Sequence, residues 1–202
     1  KYSKKNGLAT DRIQEIKNCG GKLHAVGSRA VHVLNGSEWS INQLPKGWGY
    51  RLACGPKGTY ATSSSSGISH WNGSGWKVYE SKKILAAEKY KTINDLVLGN
   101  DGSIWFVAFG GVAGKINTDG TVKIWKQGQG FQSRQVFSRI VKDKDGRVMI
   151  PTFRGFFTPD GEGWKQLAGR AYGDYNLAAV QCTVGDFRVT GWAPDDAVGL
   201  TP

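Results

Sequence analysis

One pattern returns five times along this chain, and it constrains the fold more than any other feature. Each copy runs apolar strand, Gly turn, second strand, small residues, third strand, Asn/Asp-Gly turn, aromatic strand. Four copies occupy residues 15–40, 51–79, 95–125 and 139–167, and an incomplete fifth occupies 178–202. The turn glycines Gly21, Gly58, Gly102, Gly146 and Gly185 fall 37, 44, 44 and 39 residues apart. That period, with four strands per copy, is the signature of a β-propeller blade.

The side-chain pattern within the copies has the same logic. Two residues after each turn Gly stands an apolar or aromatic residue: Leu23, Tyr60, Ile104, Val148 or Phe187. Six residues after it the side chain is small: Gly27, Ser64, Ala108, Thr152 or Gly191. Blades taper toward an axis and pack face to face, so small residues belong where neighbours crowd. Trp39, Trp76 and Trp164 each open an outer strand after a turn and are read as wedges between blades. Composition agrees: 29 glycines and 8 tryptophans in 202 residues favour a β-rich chain with many tight turns. No apolar run approaches the ~18 residues of a membrane-spanning helix. Aromatic content of 11% is too high for a disordered chain.

The expected fold is therefore all-β: a five-bladed β-propeller of four-stranded antiparallel blades, forming a single domain over residues 1–202. Its blades are placed at about 12–45, 50–82, 93–127, 137–169 and 176–202. The fifth copy stops after three strands, and the opening residues KYSKK align with KVYESKK (77–83). Residues 1–6 are thus expected to supply the missing strand of the last blade and close the ring, which removes exposed sheet edges. Residues 81–91 read as a short helical insertion. The chain starts without Met or a signal-like pattern and is read as a mature or trimmed form.

KYSKKNGLATDRIQEI followed by GGKLHAVGSRAVHVLNGSEW resembles the two-component regulator propeller repeat, and INDLVLGNDGSIWFVAFGGV and VFSRIVKDKDGRVMIPTFRGFF fit the same template. The resemblance covers nearly the whole chain. Of the repeat's usual Trp positions only Trp105 is kept, with His24, Ala61, Met149 and Arg188 at the others. Parts of the second and third copies are also similar to tectonin-type lectins and streptogramin-lyase-type propellers. The resemblance implies a periplasmic or extracellular sensor domain that binds a ligand, often a glycan, or dimerises.

A propeller binds on the face that carries the loops joining second to third strands and the loops joining one blade to the next. Those segments place Trp48, Tyr50, Phe109, Phe153, Tyr172, Tyr175 and Trp192 on one rim, with Arg12, Arg29, Arg134, Arg154 and Arg170 among them and Arg51 at the edge. Aromatic rings stack on sugar faces, and Arg forks grip carboxylate, sulfate or phosphate in pairs. A net charge of +11, from 27 basic and 16 acidic residues, suits an anionic glycan or an acidic protein surface. No nucleic-acid motif accompanies the charge, so nucleic acid is not the expected partner.

Catalysis has little to stand on. His24, His32 and His70 lack metal-ligand spacing, and neither a nucleophile elbow nor a phosphate loop occurs. Carboxylates for glycoside hydrolysis would have to converge on the pore, with Asp11, Asp95, Asp174, Asp195 and Asp196 as the candidates. The expectation is a non-catalytic binding propeller with no cofactor and no metal. A propeller-fold glycosidase or lyase and a protein-assembly module stay open as alternatives. Cys19, Cys54 and Cys182 all fall near the far end of innermost strands, where a bridge between adjacent blades is conceivable and buried free thiols are the default.

Overall fold

A computed structural model of the chain describes residues 3–126, 128–130, 139–143, 145–152, 155–168, 179–183 and 186–190. The first repeat forms β1 (Glu15–Cys19), β2 (Lys22–Gly27), β3 (Ala30–Asn35) and β4 (Glu38–Gln43). The second forms β5 (Gly49–Gly55), β6 (Gly58–Ser63), β7 (Gly67–Trp71) and β8 (Trp76–Glu80), followed by a single helical turn, α1 (Ser81–Ile84). The third forms β9 (Ile93–Leu98), β10 (Ile104–Ala108), β11 (Val112–Ile116) and β12 (Val122–Trp125). The fourth forms β13 (Val141–Lys142), β14 (Val148–Thr152), β15 (Gly155–Asp160) and β16 (Gly163–Ala168). Each group is one four-stranded sheet in chain order, with every neighbouring pair antiparallel.

Local chemistry sets these boundaries. Gly20 and Gly21 both have positive φ, at 61° and 86°, which is what a two-residue turn matching the strand twist requires. That turn fixes Cys19 opposite Lys22 and hence the whole β1–β2 register. Elsewhere a carboxylate does the work: Asp101 Oδ1 accepts from the Ser103 amide at 3.0 Å, and Asp119 Oδ1 from the Thr121 amide at 2.8 Å.

The cores lie between consecutive sheets. Val26, Val31, Leu44, Leu52 and Ala61 pack across the first and second sheets, with Trp76 against them. Ile68, Leu85, Ile93, Leu96 and Phe106 fill the space between the second and third. Val107, Trp125, Ile140, Ile150 and Trp164 fill that between the third and fourth. Trp39 and Trp164 are buried, while Trp76 is half-buried with its ring 5.3 Å from that of Trp71. Trp105, Trp125 and Trp164 form a cluster with centroids 5.7–6.0 Å apart, and Trp125 Nε1 donates to Glu162 O at 2.7 Å. The small-residue position has a clear cause at Gly27. A Cβ there would run into the carbonyl of Arg12 and come 2.9 Å from Ile13 Cα. At the apolar position Tyr60, Ile104 and Val148 are buried, while Leu23 is 40% exposed.

Two expectations need correction. Among the described residues the fifth repeat provides only β17 (Ala179–Thr183) and β18 (Asp186–Thr190), a two-stranded sheet, so four sheets are complete and no closed ring is seen. The N-terminal segment is not a strand where it is described: Lys4–Asn6 is a turn of 3-10 helix. Ser3 Oγ accepts from the Lys5 amide, and Gly7, at φ 90°, ends the turn with its amide on Lys4 O. Local capping thus outweighs the likeness of KYSKK to KVYESKK.

Candidate functional site

The first strands of the four sheets, β1, β5, β9 and β13, lie side by side and line a cavity of about 480 Å³. The loops β2–β3, β6–β7 and β10–β11 gather at one end of these strands with the connections between sheets. The hydrogen bonds join them: the Gly49 amide donates to Ser28 O at 2.8 Å, the Leu44 amide to Arg29 O at 2.7 Å, and the Phe109 amide to Thr92 O at 2.9 Å.

On that loop-rich face Arg12, Arg29 and Trp48 belong to backbone segments that meet at the seam of the first two sheets. The Arg12 backbone abuts Gly27, and Gly27 leads into Ser28 and Arg29. Trp48 is clamped by its backbone. Its amide donates to Ser64 Oγ at 3.0 Å, and its carbonyl accepts from the Ser64 amide at 3.0 Å. The indole nevertheless stays 46% exposed, and both guanidinium side chains are exposed with no ion pair to a described residue. Tyr50, 37% exposed, sits at a register shift in β5 between Gly49 and Arg51. Phe109, 44% exposed, belongs to the third sheet's loop, where its ring meets Tyr90 edge-on at 4.8 Å. Arg134, Phe153, Arg154, Arg170, Tyr172, Tyr175 and Trp192 lie outside the described residues.

A second constellation lines the cavity, and sequence reasoning found only one member of it. Asp95 is buried. Its Oδ1 accepts from the Leu96 amide at 2.9 Å and its Oδ2 from the Ile140 amide at 3.2 Å. Glu15 Oε2 accepts from the Leu52 amide, while Lys17 Nζ donates to Leu52 O, both at 2.5 Å. Arg139 Nη1 stands between the acids, 3.8 Å from Asp95 and 3.9 Å from Glu15. Glu15 therefore ties the first sheet to β5, and Asp95 ties the third sheet to the residue just before β13. Burial lifts the Asp95 carboxyl to about 6, against the Ile140 amide, Lys17 and Arg139, with Glu15 adding to the rise. Alternating charge at Glu15 and Lys17, on the first strand of a repeat, was the available signal for an axis-lining face.

The histidines differ among themselves. His32 is fully buried, accepts from the Ala9 amide at 3.1 Å, and is held below the usual imidazole range by burial. His70 stacks on Tyr60 at 4.0 Å. His24 lies beside Cys19 and Cys54, which are joined as a disulfide between β1 and β5 with Cα atoms 5.5 Å apart. The default of free thiols is thereby corrected for these two. The pair comes from adjacent sheets, and its Cα separation is ordinary for a bridge. Of Asp11 and the other carboxylates proposed for the pore, only Asp95 reaches it; Asp174, Asp195 and Asp196 lie outside the described residues.

Sheets in chain order, packed face to face with their first strands together, define the fold as that of a β-propeller. Solved structures bear this out. The chain is similar to streptogramin B lyase (TM-score 0.63, 14% identity, 81% of this chain and 57% of that one). It is also similar to the extracellular domain attributed to the hybrid two-component system BT3049 of B. thetaiotaomicron (0.62, 10%, 93% and 31%). A third likeness is to YCF48 bound to D1 peptide (0.62, 17%, 86% and 58%). The chain spans less than two thirds of the length of each. No family model matches the sequence, and no curated protein matches it. Among the described residues no helix is long and apolar enough to cross a membrane.

Proposed function

We propose that this chain is a non-catalytic binding propeller of the extracytoplasmic sensor type, recognising an anionic glycan on its loop-rich face. The observation that carries this reading is Trp48. Its backbone is paired to Ser64 of the β6–β7 loop and the next residue, Gly49, to Ser28 of the β2–β3 loop, while Trp48 stays 46% exposed in a loop cluster that also carries exposed Arg12 and Arg29. An exposed Trp on a paired backbone, in a loop cluster that also carries exposed Arg, has the composition of a binding hot spot rather than of an inert surface. The ring would stack on a sugar face, and the guanidinium forks would take its carboxylate or sulfate groups. Tyr50 and Phe109 extend the aromatic surface, and the reading extends it further to Arg134, Phe153, Arg154, Tyr172, Tyr175 and Trp192. The likeness to a two-component extracellular domain supports a periplasmic or extracellular location.

The cavity does not favour a glycosidase or lyase. Among the described residues its two carboxylates, Glu15 and Asp95, are engaged by backbone amides and by Lys17 or Arg139 as ties between sheets. A protein-assembly module would use the same patch on an acidic peptide.

The test is affinity for a uronate oligosaccharide and its neutral counterpart, at low and high salt, in wild type and Trp48→Ala. The expected result is preference for the uronate, weakened by salt because exposed charges are screened beyond ~8 Å, and loss of binding in the variant. Equal affinity for both sugars, unchanged by the substitution, would overturn the reading.

A further inference from the structure

Strands β1, β2 and β5 bring Cys19, His24 and Cys54 to one end of the seam between the first two sheets. Both sulfurs and a ring nitrogen of His24 lie within 4.8 Å of one another. A disulfide needs only the two cysteines, so the imidazole at its side calls for another explanation. The ring is also held in place. His24 Nδ1 is 2.9 Å from the hydroxyl of Thr59, a buried residue of β6 in the second sheet. With Nδ1–H donating to that hydroxyl, the lone pair sits on Nε2, which is how a second-shell partner prepares a histidine for a metal.

We propose that, when the bridge is open, Cys19, His24 and Cys54 form a site for one thiophilic divalent cation of the zinc class. Metal and disulfide are then alternative staples across the same two sheets. Zn–S bonds of ~2.3 Å and Zn–N bonds of ~2.0 Å require ligand atoms roughly 3.5–3.8 Å apart, within the spread these residues already have. Cys54 also lines the cavity, which gives the ion an entry path and leaves the fourth position open to water. Opening the bridge takes two electrons and two protons from a dithiol, which leaves as its own disulfide. The two thiol protons are released as the cation binds.

The experiment uses the full chain, kept oxidised or reduced under anaerobic conditions, with Zn²⁺ followed by chromogenic competition and Co²⁺ by absorption. The reduced protein is expected to take up one equivalent of Zn²⁺ and to show thiolate-to-cobalt charge transfer, and the oxidised protein neither. His24→Ala should weaken binding at least about tenfold, and Cys182→Ser should leave it unchanged. If reduction alone unfolds the chain, Zn²⁺ should restore the near-ultraviolet tryptophan signal. Absence of uptake or of that restoration, equal uptake by His24→Ala or by the Cys19→Ser/Cys54→Ser double variant, or loss on Cys182→Ser would each overturn the site.

Discussion

Asp95→Asn separates what the buried carboxylate does as an acceptor from what it does as an acid. The side chain accepts two amides with two oxygens, Leu96 N at 2.9 Å and Ile140 N at 3.2 Å. Asn offers one acceptor oxygen and sets its NH₂ against the other amide. Leaving that buried donor unpaired costs about 1–3 kcal/mol at every pH. The acid contributes a second, pH-dependent part. Its folded value, about 6, lies above the ordinary 3.8, so the folded protein keeps the proton where the unfolded chain has lost it. Stability from this group is therefore full below pH ~4, falls as pH rises to about 6, and is level above that. At 1.36 kcal/mol for each pH unit of difference, wild type loses about 3 kcal/mol across this window. The variant loses none of it. Urea midpoints of both proteins from pH 4 to pH 7 check this. The gap between them should narrow, or reverse sign, as pH rises. A gap that stays constant would refute the raised Asp95 value. The range stops at pH 4 because Asp101, held at about 2 by Ser103 and Lys115 despite its desolvation, contributes stability that is lost as pH falls below that.

Three further outcomes follow from the packing. Gly27→Ala forces a Cβ into the Arg12 carbonyl, which is backbone and cannot swing aside, so thermal unfolding should show a loss of about 1–3 kcal/mol. Trp125→Ala removes the centre of the cluster with Trp105 and Trp164 and orphans Glu162 O; a loss of about 3–5 kcal/mol in urea unfolding is expected. Reducing Cys19–Cys54, which are 35 residues apart, releases chain entropy worth up to about 4 kcal/mol, read as a lower melting temperature in metal-free buffer.

The parts of this molecule visible in its sequence are those governed by neighbours along the chain. Turn glycines, strand alternation and the Trp after each turn are local, and the repeat multiplies them until the four sheets stand out. Trp48, Tyr50 and Phe109 were reachable because loops on one face follow from strand order. The cavity constellation was not. Glu15, Lys17 and Arg139 are ordinary surface types in the sequence, and they meet only because the first strands of different repeats share an axis. The same holds for Cys19, His24 and Cys54, whose spacing matches no metal motif because the ligands come from three strands. At the N-terminus a Ser cap and a Gly after Asn6 decided the conformation, and a likeness between short Lys-rich stretches was a poor guide.

The central claim is that the loop-rich face around Trp48, and not the cavity, is the working surface. Hydrogen exchange with and without a saturating uronate oligosaccharide tests it directly. Protection should appear in residues 27–30, 44–49 and 63–66. Protection confined to residues 15–19, 95–98 and 139–142 would contradict it and move the site to the axis.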